Sequence, residues 1–166
     1  MDPKSRPRST HLGPDGSARM VDVSGKPASV REATAQARVA VSPALAQAIR
    51  TGSVPKGPVL EAARLAAVMA AKQTPQLIPL CHPLPLEHVE VEFSLSDTAV
   101  EITATCRTTW RTGVEMEAMV AASVAALTIY DMCKSLERGM TIECVRLLAK
   151  SGGKSGTWRR EAEEGR

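Results

Sequence analysis

The sequence predicts an α+β domain, an antiparallel sheet with helices packed on one face. Three observations lead there. Residues 30–41 place Ala33, Ala35, Ala37, Val39 and Val41 on one side, the period of a half-buried strand. Residues 88–95 and 100–106 alternate in the same way around Ser96-Asp97-Thr98, which is turn chemistry. Residues 112–134, TGVEMEAMVAASVAALTIYDMCK, are Ala-rich with almost no internal charge. They predict a long helix buried on most sides.

Taken in order, residues 1–18 are rich in Pro, Ser, Gly and charge and predict a disordered or loosely ordered tail. Residues 20–24, MVDVS, read as a short strand-like piece, and the strand at 30–41 follows. Ser42 is an N-cap with Pro43 at the first helical position, and the helix stops at Gly52. Pro55-Lys56-Gly57-Pro58 is a turn that exposes Lys56. Residues 59–73 form a second helix. Residues 75–86, PQLIPLCHPLPL, hold four prolines, which excludes a helix or a central strand. They leave a rigid loop carrying Cys81 and His82. After the hairpin, the long helix is expected to run on through 135–138 to Gly139. Residues 140–148 are a last strand, 150–156 (KSGGKSG) a basic glycine-rich loop, and 157–166 a charged tail. One catalytic domain over 19–156 results. Its β-α-β-β-α-β order matches the ferredoxin-like arrangement.

Composition bounds the function. The chain has 166 residues and a net charge of +3, too little for a nucleic-acid partner. Trp110, Trp158, Tyr130 and Phe93 are the only aromatics, too few for a base-stacking surface. No apolar run is expected to reach the ~20 residues of a membrane span. No apolar h-region marks a signal peptide. The four cysteines (Cys81, Cys106, Cys133, Cys144) show no C-x-x-C spacing, so free thiols in a reducing cytoplasm are expected rather than a metal site. An unpartnered sheet face and an Ala-rich helix point to a homo-oligomer.

Several residues are candidates for chemistry. KSGGKSG lacks the first glycine of a Walker loop, because Leu148 stands there, and no helix follows. Its glycines and Lys150 and Lys154 can still hold an anion. His82 sits between prolines, which fixes its ring in advance. Asp131 and Lys134 share a helix face and can act as proton acceptor and donor. Glu115 and Glu117 lie in the helix's first turn, where the dipole favours carboxylates. The fourteen residues from Glu117 to Asp131 span about 21 Å of helix axis. One small ligand cannot reach both ends within a chain, so a pocket shared between chains is favoured.

Six motifs carry a resemblance: MVDVSGK, PKG, LIPLCHPL, TGVEMEAM, ALTIYDMCK and RLLAKSGGKSG. With them the chain resembles the cyclic pyranopterin monophosphate synthase family, protein C of molybdenum cofactor biosynthesis, over about residues 20–156. The resemblance implies a ferredoxin-like fold, dimers assembled into a hexamer, and a cytoplasmic location. It implies a lyase that rearranges 3′,8-cyclo-7,8-dihydro-GTP to cyclic pyranopterin monophosphate and releases pyrophosphate. No cofactor is required, though Mg²⁺ could accompany the triphosphate. Asp131 would be the principal acid/base with Lys134 beside it. Lys56, Lys150 and Lys154 would hold the triphosphate or shuttle protons. Leu80, Cys81, His82, Met116 and Glu117 would contact substrate, with Asp22 and Glu115 lining the pocket. Many relatives read Gly-Lys where this chain has Trp110-Arg111. An arginine keeps the charge but cannot serve as a base at neutral pH.

Two other readings compete. A non-catalytic nucleotide- or pterin-binding oligomer predicts no turnover. A nucleic-acid module predicts salt-sensitive binding.

Overall fold

A computed structural model describes residues 11–13 and 15–161. The elements are β1 (Ser29–Ala40), α1 (Pro43–Thr51), α2 (Val59–Lys72), α3 (Thr74–Leu77), β2 (His88–Leu95), β3 (Ala99–Trp110), α4 (Glu115–Cys133), β4 (Thr141–Ser151) and β5 (Trp158–Arg159). They form one sheet in the order β2-β3-β1-β4-β5, and every pairing is antiparallel. The first four strands and their crossover helices make the ferredoxin-like arrangement expected from the sequence. Two register shifts interrupt the β1–β4 ladder; such bulges bend and twist a strand.

The core lies between the sheet and the helices. β1 contributes Ala33, Ala35, Ala37 and Val39, and β3 contributes Val100, Ile102, Ala104 and Cys106. Alternation sends these side chains to one face. α4 answers with Ala118, Ala121, Ala122, Ala125, Ala126 and Ile129, all fully enclosed. Small side chains on both layers let the helix sit close to the sheet and to α2, whose Ala63 and Ala67 are also fully enclosed. With 19 residues, α4 is long and apolar enough, by length and composition, to cross a membrane. That corrects the expectation that no run approaches this length. Its packing on β1, β3 and β4 and the carboxylates at both ends account for it as a core helix.

The local signals around α1 hold. The Ser42 Oγ accepts from the Leu45 N–H at 3.2 Å, and Gly52 closes the helix with φ 69. Four expectations are corrected. Residues 20–24 form no strand; the Asp22 carboxylate accepts from the Ser24 N–H at 2.9 Å, a local turn that competes with pairing. A helical turn, α3, opens the proline-rich segment, because Pro75 falls in its first turn, where no N–H is needed. The long helix ends at Cys133 rather than continuing to Arg138. Its last turn tightens as the Leu136 N–H reaches the Cys133 carbonyl at 2.9 Å, a common way to satisfy terminal carbonyls. The Glu137 carboxylate is then free to bind the Ser42 N–H and hydroxyl at 3.1 and 2.7 Å. Finally, the strands run longer than expected: β3 reaches Trp110, and β4 takes in Lys150. Residues 1–10, 14 and 162–166 of the expected tails lie outside the described residues.

The outer sheet face does not ask for an apolar partner. Thr34 pairs with Thr105 at 3.0 Å, Arg146 donates to Gln36 at 2.9 Å, and Arg38 bridges Glu101 and Glu143. Exposed apolar groups occur at the strand ends, Val30 of β1 and Trp158 of β5, and on the helices. Leu65 and Met69 of α2 are 66% and 62% exposed, and Leu127 of α4 is 57% exposed.

Candidate active site

The expected site residues fall into two groups, one at each end of α4. At its C-terminal end, Asp131 lies between two lysines. The Lys134 Nζ is 2.8 Å from Oδ1, and the Lys56 Nζ is 2.8 Å from Oδ2. Lys56 also donates to the Asp131 carbonyl at 2.7 Å, capping a carbonyl of the last helical turn. The turn that delivers Lys56 is closed by the Gly57 N–H on the Val54 carbonyl at 3.0 Å, with Gly57 at φ 98; that region suits glycine. Hydrogen bonds from Lys134, and then Lys56, hold the Asp131 carboxyl down at about 2. Asp131 is therefore a carboxylate at neutral pH.

At the N-terminal end two cavities adjoin. They share Lys26, Thr112, Gly113 and Glu115 in their walls. The smaller, about 380 Å³, is lined by Leu80, Cys81, His82, Met116 and Glu117, the five residues assigned to substrate contact from the resemblance. The His82 Nε2–H donates to the Val21 carbonyl at 2.6 Å, which pins the proline-rich loop to the segment before β1. A carbonyl only accepts, so Nε2 carries a proton. Glu117 is 3% exposed. Burial first, with the Glu115 charge adding to it, raises its carboxyl to about 7. It can gain or lose a proton near neutrality, as an acid/base group requires. Burial, with Glu117 adding, also raises the Cys81 thiol, so Cys81 is an uncharged contact. Asp22 turns its carboxylate onto Ser24, while its neighbours Val21 and Val23 line the cavity.

The larger cavity, about 610 Å³, is cationic. Lys26, Arg31, Arg111, Lys150 and Lys154 face it, against Glu32 and Glu115. The Lys150 Nζ lies 3.4 Å from Glu115 Oε1 and donates to the Ser155 hydroxyl at 2.7 Å. A Cβ on Gly113 would collide with the Glu115 carboxylate, so the glycine permits that carboxylate to fold back at the helix start. Among the described residues, the Arg31 Nε is buried with no hydrogen-bond partner. Such a donor calls for an acceptor, and an anion in this cavity would supply one. Arg111 lies 5.9 Å from the Trp110 ring, a cation–π distance.

Lys26 and Arg31 were not among the expected site residues. Lys26 closes the MVDVSGK motif, so a signal was present. Arg31 stands two residues before Ala33, so alternation puts it on the core-facing side at the start of β1, which marks no site. Among the described residues, no three His, Cys, Asp or Glu side chains converge to hold a metal ion.

Comparison with known proteins places this geometry. The MoaC family model matches residues 20–153. The chain is 55% identical to the cyclic pyranopterin monophosphate synthase of Thermomicrobium roseum, over 95% of this chain and 96% of that protein. It is 57% identical to the protein of that name from Streptomyces griseus, over 95% and 89%. It is 55% identical to the one from Novosphingobium aromaticivorans, over 90% and 96%. Agreement at this level over nearly the whole length leaves one conclusion: the chain belongs to the MoaC family.

Proposed function

We propose that this chain is a cyclic pyranopterin monophosphate synthase. It converts 3′,8-cyclo-7,8-dihydro-GTP to cyclic pyranopterin monophosphate and releases pyrophosphate. The observation that carries this reading is the cationic cavity opening directly onto the pocket of His82 and Glu117. A triphosphate fits the first and a guanine-derived ring the second. Lys26, Arg31, Lys150 and Lys154 neutralise the phosphates. When a sugar hydroxyl attacks the α-phosphorus to close the cyclic phosphate, these cations stabilise the charge on departing pyrophosphate. A Mg²⁺ ion accompanying the triphosphate belongs to the substrate in this scheme.

Ring opening and pterin closure need proton transfers. Asp131, Lys134 and Lys56 are the groups for these: a lysine ammonium gives a proton to the substrate, the amine left behind takes up the proton released in a later step, and the Asp131 carboxylate holds both lysines in place. They lie about 21 Å along the axis of α4 from Glu117, so one chain holds two half-sites. The chain completes them by pairing with a second copy. The outward side of α4 carries Met116 and Leu127. A two-fold axis near the helix midpoint would set two copies of α4 antiparallel and bring Glu117 of each beside Asp131 of the other. The assembly proposed is a homohexamer, a trimer of such dimers, working in the cytoplasm.

The test is turnover. The full chain should produce the cyclic pyranopterin and pyrophosphate from the cyclic dihydro-GTP, whereas Asp131→Ala and Lys134→Ala should fold and produce neither. A fully active Asp131→Ala removes the proposed chemistry, and an inert wild type favours a binding protein that kept the scaffold.

A further inference from the structure

The last strand lies beyond the part of the chain that the family model matches, which ends at residue 153. β5 is two residues long, yet it is well placed. It pairs with β4 at Ala149↔Arg159 and Lys150↔Trp158. Arg160 adds two bonds: its N–H donates to the Leu148 carbonyl at 2.8 Å, and its Nε to the Leu147 carbonyl at 2.9 Å. Its guanidinium stands 5.9 Å from the Trp158 ring. The chain therefore returns onto the stretch from which Lys150 and the glycine loop depart.

The loop between is shaped as tightly. Gly152 and Gly153 have φ of 96 and 70. A Cβ on Gly152 would strike the Val30 carbonyl, and one on Gly153 the Arg31 guanidinium. The Gly156 N–H donates to the Gly153 carbonyl at 3.2 Å. The segment is thus a hairpin tied at both ends, not a free basic tail. Lys150, Lys154 and Arg31 face one cavity because of it. A loop ordered before its ligand arrives spares binding the cost of ordering it.

We propose that β5 and Arg160 form a clasp that holds residues 151–157 over the anion cavity, with Arg160 a positioning residue for the substrate's triphosphate. This rests on the reading that the cavity takes a triphosphate. The experiment compares the full chain with a chain ending at Thr157 and with Arg160→Ala and Arg160→Lys. It reads KM and kcat on the cyclic dihydro-GTP, pyrophosphate Kd by calorimetry, and the thermal midpoint. The truncation and Arg160→Ala should raise KM and pyrophosphate Kd together by about tenfold, the equivalent of one charge-assisted hydrogen bond. The kcat and thermal midpoint should stay put, and Arg160→Lys, which keeps a donor for the Leu147 carbonyl, should recover most of the loss. An unchanged pyrophosphate Kd in the truncated chain overturns the clasp. So does a fall in kcat and thermal midpoint with no change in Kd. A wild type without turnover, whose pyrophosphate binding the truncation still weakens, upholds the clasp and overturns the synthase reading. A wild type that does not bind pyrophosphate overturns both.

Discussion

Lys56 and Asp131 are 75 positions apart in the chain and meet at 2.8 Å. The contact ties the turn before α2 to the end of α4 and completes the ion cluster with Lys134. Both partners are substantially exposed (40% and 57%), so the pair contributes little to stability. Its value is in setting protonation. Lys56→Ala should leave the melting temperature unchanged and lower kcat by about 100-fold or more, the usual worth of a positioned acid/base group. Melting curves beside single-turnover rates check this.

The same cluster makes an acid-side prediction. The folded Asp131 carboxyl is depressed from 3.8 to about 2. Its linked stabilisation is complete above the unfolded value and is lost as the pH falls towards 2. Lys134→Ala removes the larger cause and should move the carboxyl upward. Carboxyl titration by NMR in both proteins reads the shift, and an unmoved Asp131 would sink this assignment.

Glu117 gives the opposite sign. Its folded value rises from 4.5 to about 7. Between those values the folded chain keeps a proton that the unfolded chain has lost, so stability falls as the pH rises through that window. The shift corresponds to on the order of 3 kcal/mol. Glu117→Gln should therefore gain on the wild type as pH increases from 4.5 to 7. Urea unfolding at the two ends of the window measures the difference.

The Ala-rich packing predicts intolerance of bulk. Ala122 is fully enclosed, and α4 rests there against neighbours with no room to retreat. Ala122→Leu should cost about 1–3 kcal/mol or more through overpacking. Leu127 is the contrasting case, because it faces outward. Leu127→Asp should leave the subunit folded but separate the assembly and abolish activity, as sedimentation and rate measurements would report.

Much of this was legible in the sequence, and the pattern of what was not is physical. The Ser42 cap, Gly52 and the alternation of β1 are local signals, and the structure reproduces them. The two ends of α4 could be separated by arithmetic alone. The Lys56–Asp131 contact could not be read, because it joins positions distant in sequence through tertiary packing. Nor could Arg31, which alternation puts on the core-facing side of β1 with Ala33 and whose unpaired Nε, among the described residues, appears only once the glycine loop folds over it. Where α4 ends was misjudged, because Glu137 bonds to Ser42 across 95 positions. The strand expected around Asp22 gave way to that residue's bond with its own backbone.

The central claim is that Glu117 of one chain and Asp131 of another serve one site. It is tested most directly by co-expressing Glu117→Ala and Asp131→Ala chains, each inactive alone, and measuring the rate of the mixed assembly. In random two-fold pairs half are mixed and each mixed pair holds one intact site, so recovery should reach about a quarter of the wild-type rate. A mixture as inactive as its parents would contradict the shared site.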